Sequence, residues 1–167
     1  MRWGDALLRA CDRGRGLYAR AVLSAEPYTP AKLDELLAAR LERQQVLERA
    51  YLVSILDAGV LARCIGSAAI MAEQCAHLIT LAESSTIAVH VIPEGTNTGS
   101  WAALDIATRG SIATVCLTTA LQDVTTSAPD QVDQAMQVYE RILGAALPRA
   151  DSLERVRQQE ESWKQRI

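Results

Sequence analysis

TIAVHVI, residues 86–92, decides the fold. Ile87, Val89 and Val91 alternate with Ala88, His90 and Ile92, so an extended chain here is largely apolar on both faces. Such a strand belongs in the middle of a covered sheet. Upstream, YLVSILD (51–57) is short, apolar and partly β-branched, and reads as a second strand. Between the two, Gly66 and Ser67 open a helix in which Met71, Cys75, Leu78, Ile79 and Ala82 recur at helical spacing. Downstream, PEGTNTGS (93–100) has the residues of a loop. Strands over Trp101–Thr108 and Ser111–Thr119 follow, with Arg109-Gly110 as the hairpin turn between them.

Helices are expected on either side of this centre. Residues 3–24 carry Leu7, Leu8, Cys11 and Leu17, with an Arg/Gly cluster at 13–16 where the helix would break. In a second helix Thr29 is the cap, Pro30 suits the first turn, and Leu33, Leu36, Leu37, Leu41 and Leu47 form a stripe. Beyond the polar stretch Gln122–Pro129, Val132, Met136, Tyr139, Leu143 and Ala146 align on one helical face. A last helix begins near Asp151 or Ser152 and turns Leu153, Val156 and Trp163 inward. The expectation is one α+β domain over 1–167: a small mixed or antiparallel sheet of about four strands, covered by about five helices. Within it, 1–16 is a diverged N-terminal helix and 151–167 the C-terminal one.

Composition narrows the function. Hydrophobic residues make up 49% of the chain and charged residues 22%, the balance of an ordinary globule. With no Phe, the core must come from Leu, Ile, Val, Ala and Met. The net charge of -3 is uneven. Residues 51–150 hold four basic side chains (Arg63, Arg109, Arg141, Arg149) against nine acidic ones and no Lys. Nucleic-acid binding draws on clustered Lys and Arg, so no nucleic-acid partner is expected. Cys11, Cys64, Cys75 and Cys116 are widely spaced without a C-x-x-C pair, which argues against a zinc ribbon or thioredoxin-like site. No signal peptide or membrane-spanning run is read, so a cytoplasmic protein with reduced, mostly buried thiols is expected. No motif calls for a cofactor or a metal.

Four places carry candidate chemistry. Arg40, Arg43 and Gln44 lie within one helical turn and suit an anionic ligand or a partner's carboxylate; the alternative is pairing with Asp34, Glu42, Glu48 or the sheet edge. His90 is a candidate base or ligand contact if a cleft opens on it, and otherwise a packed histidine with one hydrogen bond. His77 does not share a helical face with Cys75, and is read as a surface residue. The loop after His90 sets Glu94, Thr96, Asn97, Thr98 and Ser100 at the exit of a buried strand and ends at Trp101. Trp101 would cover an apolar or planar ligand and Asp105 would polarise one; the alternative is a solvated turn followed by a core Trp. Asp57 is a further candidate acid, or the cap of the turn beyond it.

LYARAVL (17–23), AARLERQQVL (38–47), SILDAGVLARCIG (54–66), MAEQCAHLITLAE (71–83), IAVHVIPEG (87–95) and YERILGAAL (139–147), with a Ser-capped final helix, occur in a telling order. Together they resemble the C-terminal domain, formally of unknown function, of actinobacterial, antitoxin-like helix-turn-helix regulators. The resemblance implies an α+β effector domain of a regulator encoded beside a small partner protein, with roles in development and antibiotic production. Those relatives begin with a DNA-binding helix-turn-helix, which this chain is expected to lack. Ala58 stands where an acid is frequent, and Cys116 and Thr118 where Tyr and Glu are frequent. These departures put contacts made by those acids and that Tyr in doubt.

Two functional expectations follow. The first is a regulatory module that binds a small molecule or a small partner protein without touching DNA. The second is a cofactor-independent isomerase or cyclase in secondary metabolism, with His90, Asp57, Asp105 or Glu94 in acid–base roles and Trp101 shaping the substrate. A homodimer built on the exposed stripes of the terminal helices is a third, purely structural alternative.

Overall fold

A computed structural model describes residues 28–43, 51–98, 103–118 and 123–167. The N-terminal helix expected over 3–24 lies outside them.

The chain forms α1 (Pro30–Arg43), β1 (Leu52–Asp57), α2 (Ala58–Ala62), α3 (Ala68–Ala82) and β2 (Ile87–Ile92). A meander of β3 (Ala103–Arg109), β4 (Ile112–Thr118) and β5 (Asp123–Thr126) follows, then α4 (Pro129–Ala145) and α5 (Arg149–Lys164). This is a single α+β domain. Thr29 caps α1 by accepting from the Lys32 amide at 3.3 Å, with Pro30 at the start of the helix. Ser67 caps α3 in the same way through the Ile70 amide, after Gly66 at φ 75° has turned the chain.

The strands divide into two sheets rather than one. β1 and β2 pair in parallel, with Leu52 opposite Ile87 and Asp57 opposite Ile92. β3, β4 and β5 form an antiparallel meander. Gly110 at φ 63° and Ser111 close its first hairpin, a positive φ at the first loop residue only, as in a type II′ turn. β5 (DVTT) occupies part of the stretch read as a polar loop. Its four residues carry only one apolar side chain, Val124, so alternation gave no strand signal, and only its pairing with β4 reveals it.

Register assigns the faces of the parallel pair. Leu52, Ser54 and Leu56 share one face with Ile87, Val89 and Val91, and this face is closed by α3 and α5. Leu56, Val91 and Leu78 have no exposed surface, and Met71, Cys75 and Val156 are at 1%. Trp163 locks the end of α5 to α2 by donating from Nε1 to the Leu61 carbonyl at 2.9 Å. A buried indole N–H needs such a partner. Arg166 covers the same ring, its guanidinium carbon 4.5 Å from the centroid.

The other face carries Val53, Ile55 and Asp57 beside Ala88, His90 and Ile92. Ala88 and Ile92 are buried, whereas Val53, Ile55 and His90 are half-buried. α4 touches β2, β3 and β4, and so joins the parallel pair to the meander. Its buried line is Ala135 and Ile142, flanked by the half-buried Val132, Met136, Tyr139 and Leu143. The protein therefore has one tightly closed apolar layer and one looser one.

Among the described cysteines, only Cys75 is buried; Cys116 is half-buried and Cys64 exposed, in place of the mostly buried set expected. Burial, reinforced by the Glu160 carboxylate, pushes the Cys75 thiol up to about 12. At pH 8 only about one part in ten thousand of such a thiol is thiolate, the reactive form. Alkylation of native protein at pH 8 should therefore label Cys64 readily and Cys75 only after denaturant is added. Equal labelling of the two in the native state would contradict the packing of α3 against α5.

Candidate functional site

β2 has β1 along one edge; its other edge is met by the short connection between α4 and α5. In a strand, the N–H and carbonyl of one residue point to the same side. The Val91 carbonyl accepts from the Leu147 amide at 2.8 Å, and the Val91 amide donates to Ser152 Oγ at 2.9 Å. Ser152 Oγ in turn donates to the Leu147 carbonyl at 3.0 Å. Ser152 is fully buried at 0% exposure, so this ring of bonds is shielded from water and each member needs its partner. Ser152 was expected to cap the last helix. It lies instead inside the first turn of α5, whose cap position is Pro148 with no side-chain bond, because its hydroxyl is engaged by β2.

Arg149 reinforces the same junction. Its Nη2 lies 2.5 Å from the Ala82 carbonyl, 2.6 Å from that of Ser84 and 3.2 Å from that of Ile87. A guanidinium here answers carbonyls left open at the end of α3 and suits the negative end of that helix. The start of α5 is thereby tied to both the entry and the exit of β2.

His90 joins this network. The Leu147 carbonyl lies 2.9 Å from its Nδ1. A carbonyl can only accept, so Nδ1 carries a proton and donates. In the neutral ring Nε2 then holds the lone pair. β2 is buried at every position except His90, the single opening in the strand.

The other sequence-derived candidates fall around this point unevenly. Asp57 ends β1 on the same face as His90, its Oδ1 accepting from the Gly59 amide at 2.7 Å to cap α2. A Cβ at position 59 would lie 2.9 Å from that oxygen, so a larger residue there would make the carboxylate shift. Glu94 follows β2 in a turn through Gly95 (φ 79°), is exposed, and faces Arg155 at 3.6 Å. An exposed pair of this kind contributes little stability. Asn97 is exposed in the same loop and Thr96 is half-buried. The carboxyl ends of parallel strands are the customary binding end of such pairs, and here they bring together Asp57, His90 and the 93–98 loop. Asp105 is elsewhere, exposed in the meander opposite Cys116. His77 is half-buried rather than on the surface.

Arg40 and Arg43 belong to the backbone of α1, and their side chains lie outside the described part of the structure. Gln44, Ser100 and Trp101 are also outside it. Among the described residues no group of three or more His, Cys, Asp or Glu is placed to hold a metal ion, and no helix is long and apolar enough to cross a membrane. The role of Leu147, Arg149 and Ser152 at the edge of β2 escaped the sequence reading, since an apolar residue, a scattered Arg and a helix-start Ser carry no signal of a distant strand edge.

The fold and site define a small α+β domain with an edge-latched parallel strand pair. Residues 17–158 match the family described as Domain of unknown function (DUF5753), and the chain belongs to that family. No curated protein and no solved structure matches it.

Replacing Ser152 with Ala leaves the buried Val91 amide without its acceptor. Denaturant unfolding of Ser152→Ala should show a loss of about 1–3 kcal/mol. Ser162→Ala, which removes only a bond to exposed Arg166, should fall within about 0.5 kcal/mol of the parent. Equal stability of the two variants would show that the edge network is not closed in solution.

Proposed function

We propose that this chain is a regulatory binding domain of the helix-turn-helix regulator kind, taking a small molecule at the open face of β2 and not binding DNA itself. The observation that carries the reading is His90. It is the one opening in an otherwise buried strand, held in place by the Leu147 carbonyl and set among apolar neighbours. Binding sites combine an apolar surround with a few positioned polar groups. Membership of the family, and the resemblance of its sequence words to actinobacterial, antitoxin-like regulators, support a regulatory role over an independent one. The acidic middle of the chain, four basic side chains against nine acidic, supports the absence of nucleic-acid contact. A small partner protein is the other ligand that the resemblance implies. The exposed Leu117 and Val124, paired across β4 and β5, are where it would find apolar surface.

One observation favours a second reading, a cofactor-independent isomerase or cyclase. An imidazole whose Nδ1–H is fixed by an acceptor offers Nε2 as a base, the arrangement that acid–base catalysis uses. Asp57 is the acid on the same face, although its Oδ1 is engaged by Gly59.

A fragment library screened by amide-resolved NMR against the full chain, beside a titration with duplex DNA at low salt, tests the first reading. Shifts should gather on Val53, Ile55, His90 and Leu147, and DNA should leave the spectrum unchanged. A micromolar, salt-sensitive affinity for DNA contradicts the charge argument. Fragments that shift only the meander, or nothing, contradict the site. A fragment that is chemically converted, with the conversion lost in His90→Ala, selects the enzymatic reading.

A further inference from the structure

The state of the His90 ring says what the site accepts. We propose that the open face of β2 selects small, mostly apolar, uncharged molecules that present an O–H or N–H, and that Nε2 of His90 receives that hydrogen. The inference rests on the binding reading above and goes further by naming the chemistry of the ligand.

Three observations carry it. The Leu147 carbonyl is 2.9 Å from Nδ1 and is itself held by the Ser152 hydroxyl, with the Leu147 amide fixed on Val91, so it cannot turn away at low cost. That acceptor fixes a proton on Nδ1, so in the neutral ring Nε2, at the far tip, is an acceptor only. The neighbours on the same face are Val53, Ile55, Ala88 and Ile92, four aliphatic side chains, with Ile55 directly opposite His90. Finally, the other polar residue that β1 and β2 place on this face is Asp57, a second acceptor, within a stretch of the chain with an acidic balance. An anion would meet a lone pair and a carboxylate; a neutral donor would meet two acceptors. A site built to accept a hydrogen bond discriminates against analogues that lack the donor, because its own acceptor is then left unpaired.

Phenol and anisole are a suitable pair of probes, alike in shape and differing in the donor. In 15N-labelled full-length protein, long-range 1H–15N spectra should show His90 as the Nδ1–H tautomer before any ligand is added. Phenol should then shift the His90 Nε2 resonance and bind at least about fivefold more tightly than anisole, the size of one net hydrogen bond. In His90→Phe the preference should vanish. An Nε2–H tautomer in the free protein overturns the proposal without recourse to a variant. Equal affinities for phenol and anisole, with shifts on Val53 and Ile55, overturn the donor rule and leave the binding reading standing. No shift on that face from either probe at millimolar concentration overturns both.

Discussion

Val91 directs its amide and carbonyl away from β1, along an edge where no further strand arrives among the described residues. Two unpaired backbone groups at a residue with no exposed surface would be costly. The chain answers both from one short stretch, with the Leu147 amide on the carbonyl and the Ser152 hydroxyl on the amide. The rest of the architecture hangs on that closure. It sets where α4 must end and where α5 must begin. It brings Arg149 onto the carbonyls around the end of α3, and lays α5 against α3 with Val156 and Trp163 in the core. It also explains why a strand pair as small as two can be stable, since β2 is flanked on both edges although only one neighbour is a strand.

The same contact connects structure to chemistry. The carbonyl that Ser152 steadies is the one that receives His90 Nδ1–H. Ring orientation and tautomer are thus consequences of how the edge is closed, and the lone pair at Nε2 is a by-product of backbone satisfaction. A ligand at that nitrogen would be one hydrogen-bonded step from the α4–α5 junction. Under the binding role proposed above, this is a physical route from an occupied face to a shifted helix. Gly59 makes a comparable local accommodation for Asp57, leaving room for the carboxylate to cap α2.

What the sequence revealed, and what it withheld, divides by range. Thr29, Pro30, Gly66 and Ser67 mark helix starts because capping is a matter of three or four neighbours. TIAVHVI declares a buried strand because both of its faces are apolar. The helical spacing of Met71, Cys75, Leu78 and Ala82 is likewise local and proved to be the core face of α3. The resemblance implied a domain formally of unknown function, and residues 17–158 match a family so described. The division into two sheets was not legible, nor was β5, whose polar strand is defined by its partner. The bond from Val91 to Ser152 spans 61 residues and that from His90 to Leu147 spans 57, and no periodicity encodes either. His90 and Asp57 were legible as residue types in telling places. Their roles, one pinned through Nδ1 and one capping a short helix, were each one of two alternatives in the sequence, and the coordinates chose between them.

Native-state hydrogen exchange at Leu147 tests the edge closure most directly. If the α4–α5 connection is the second edge partner of β2, the Leu147 amide is protected nearly as strongly as that of Leu78 in the middle of α3, and opens only with global unfolding. A Leu147 amide that exchanges as fast as those of the loop after Ile92 would contradict the account, because the edge of β2 would then be open in solution.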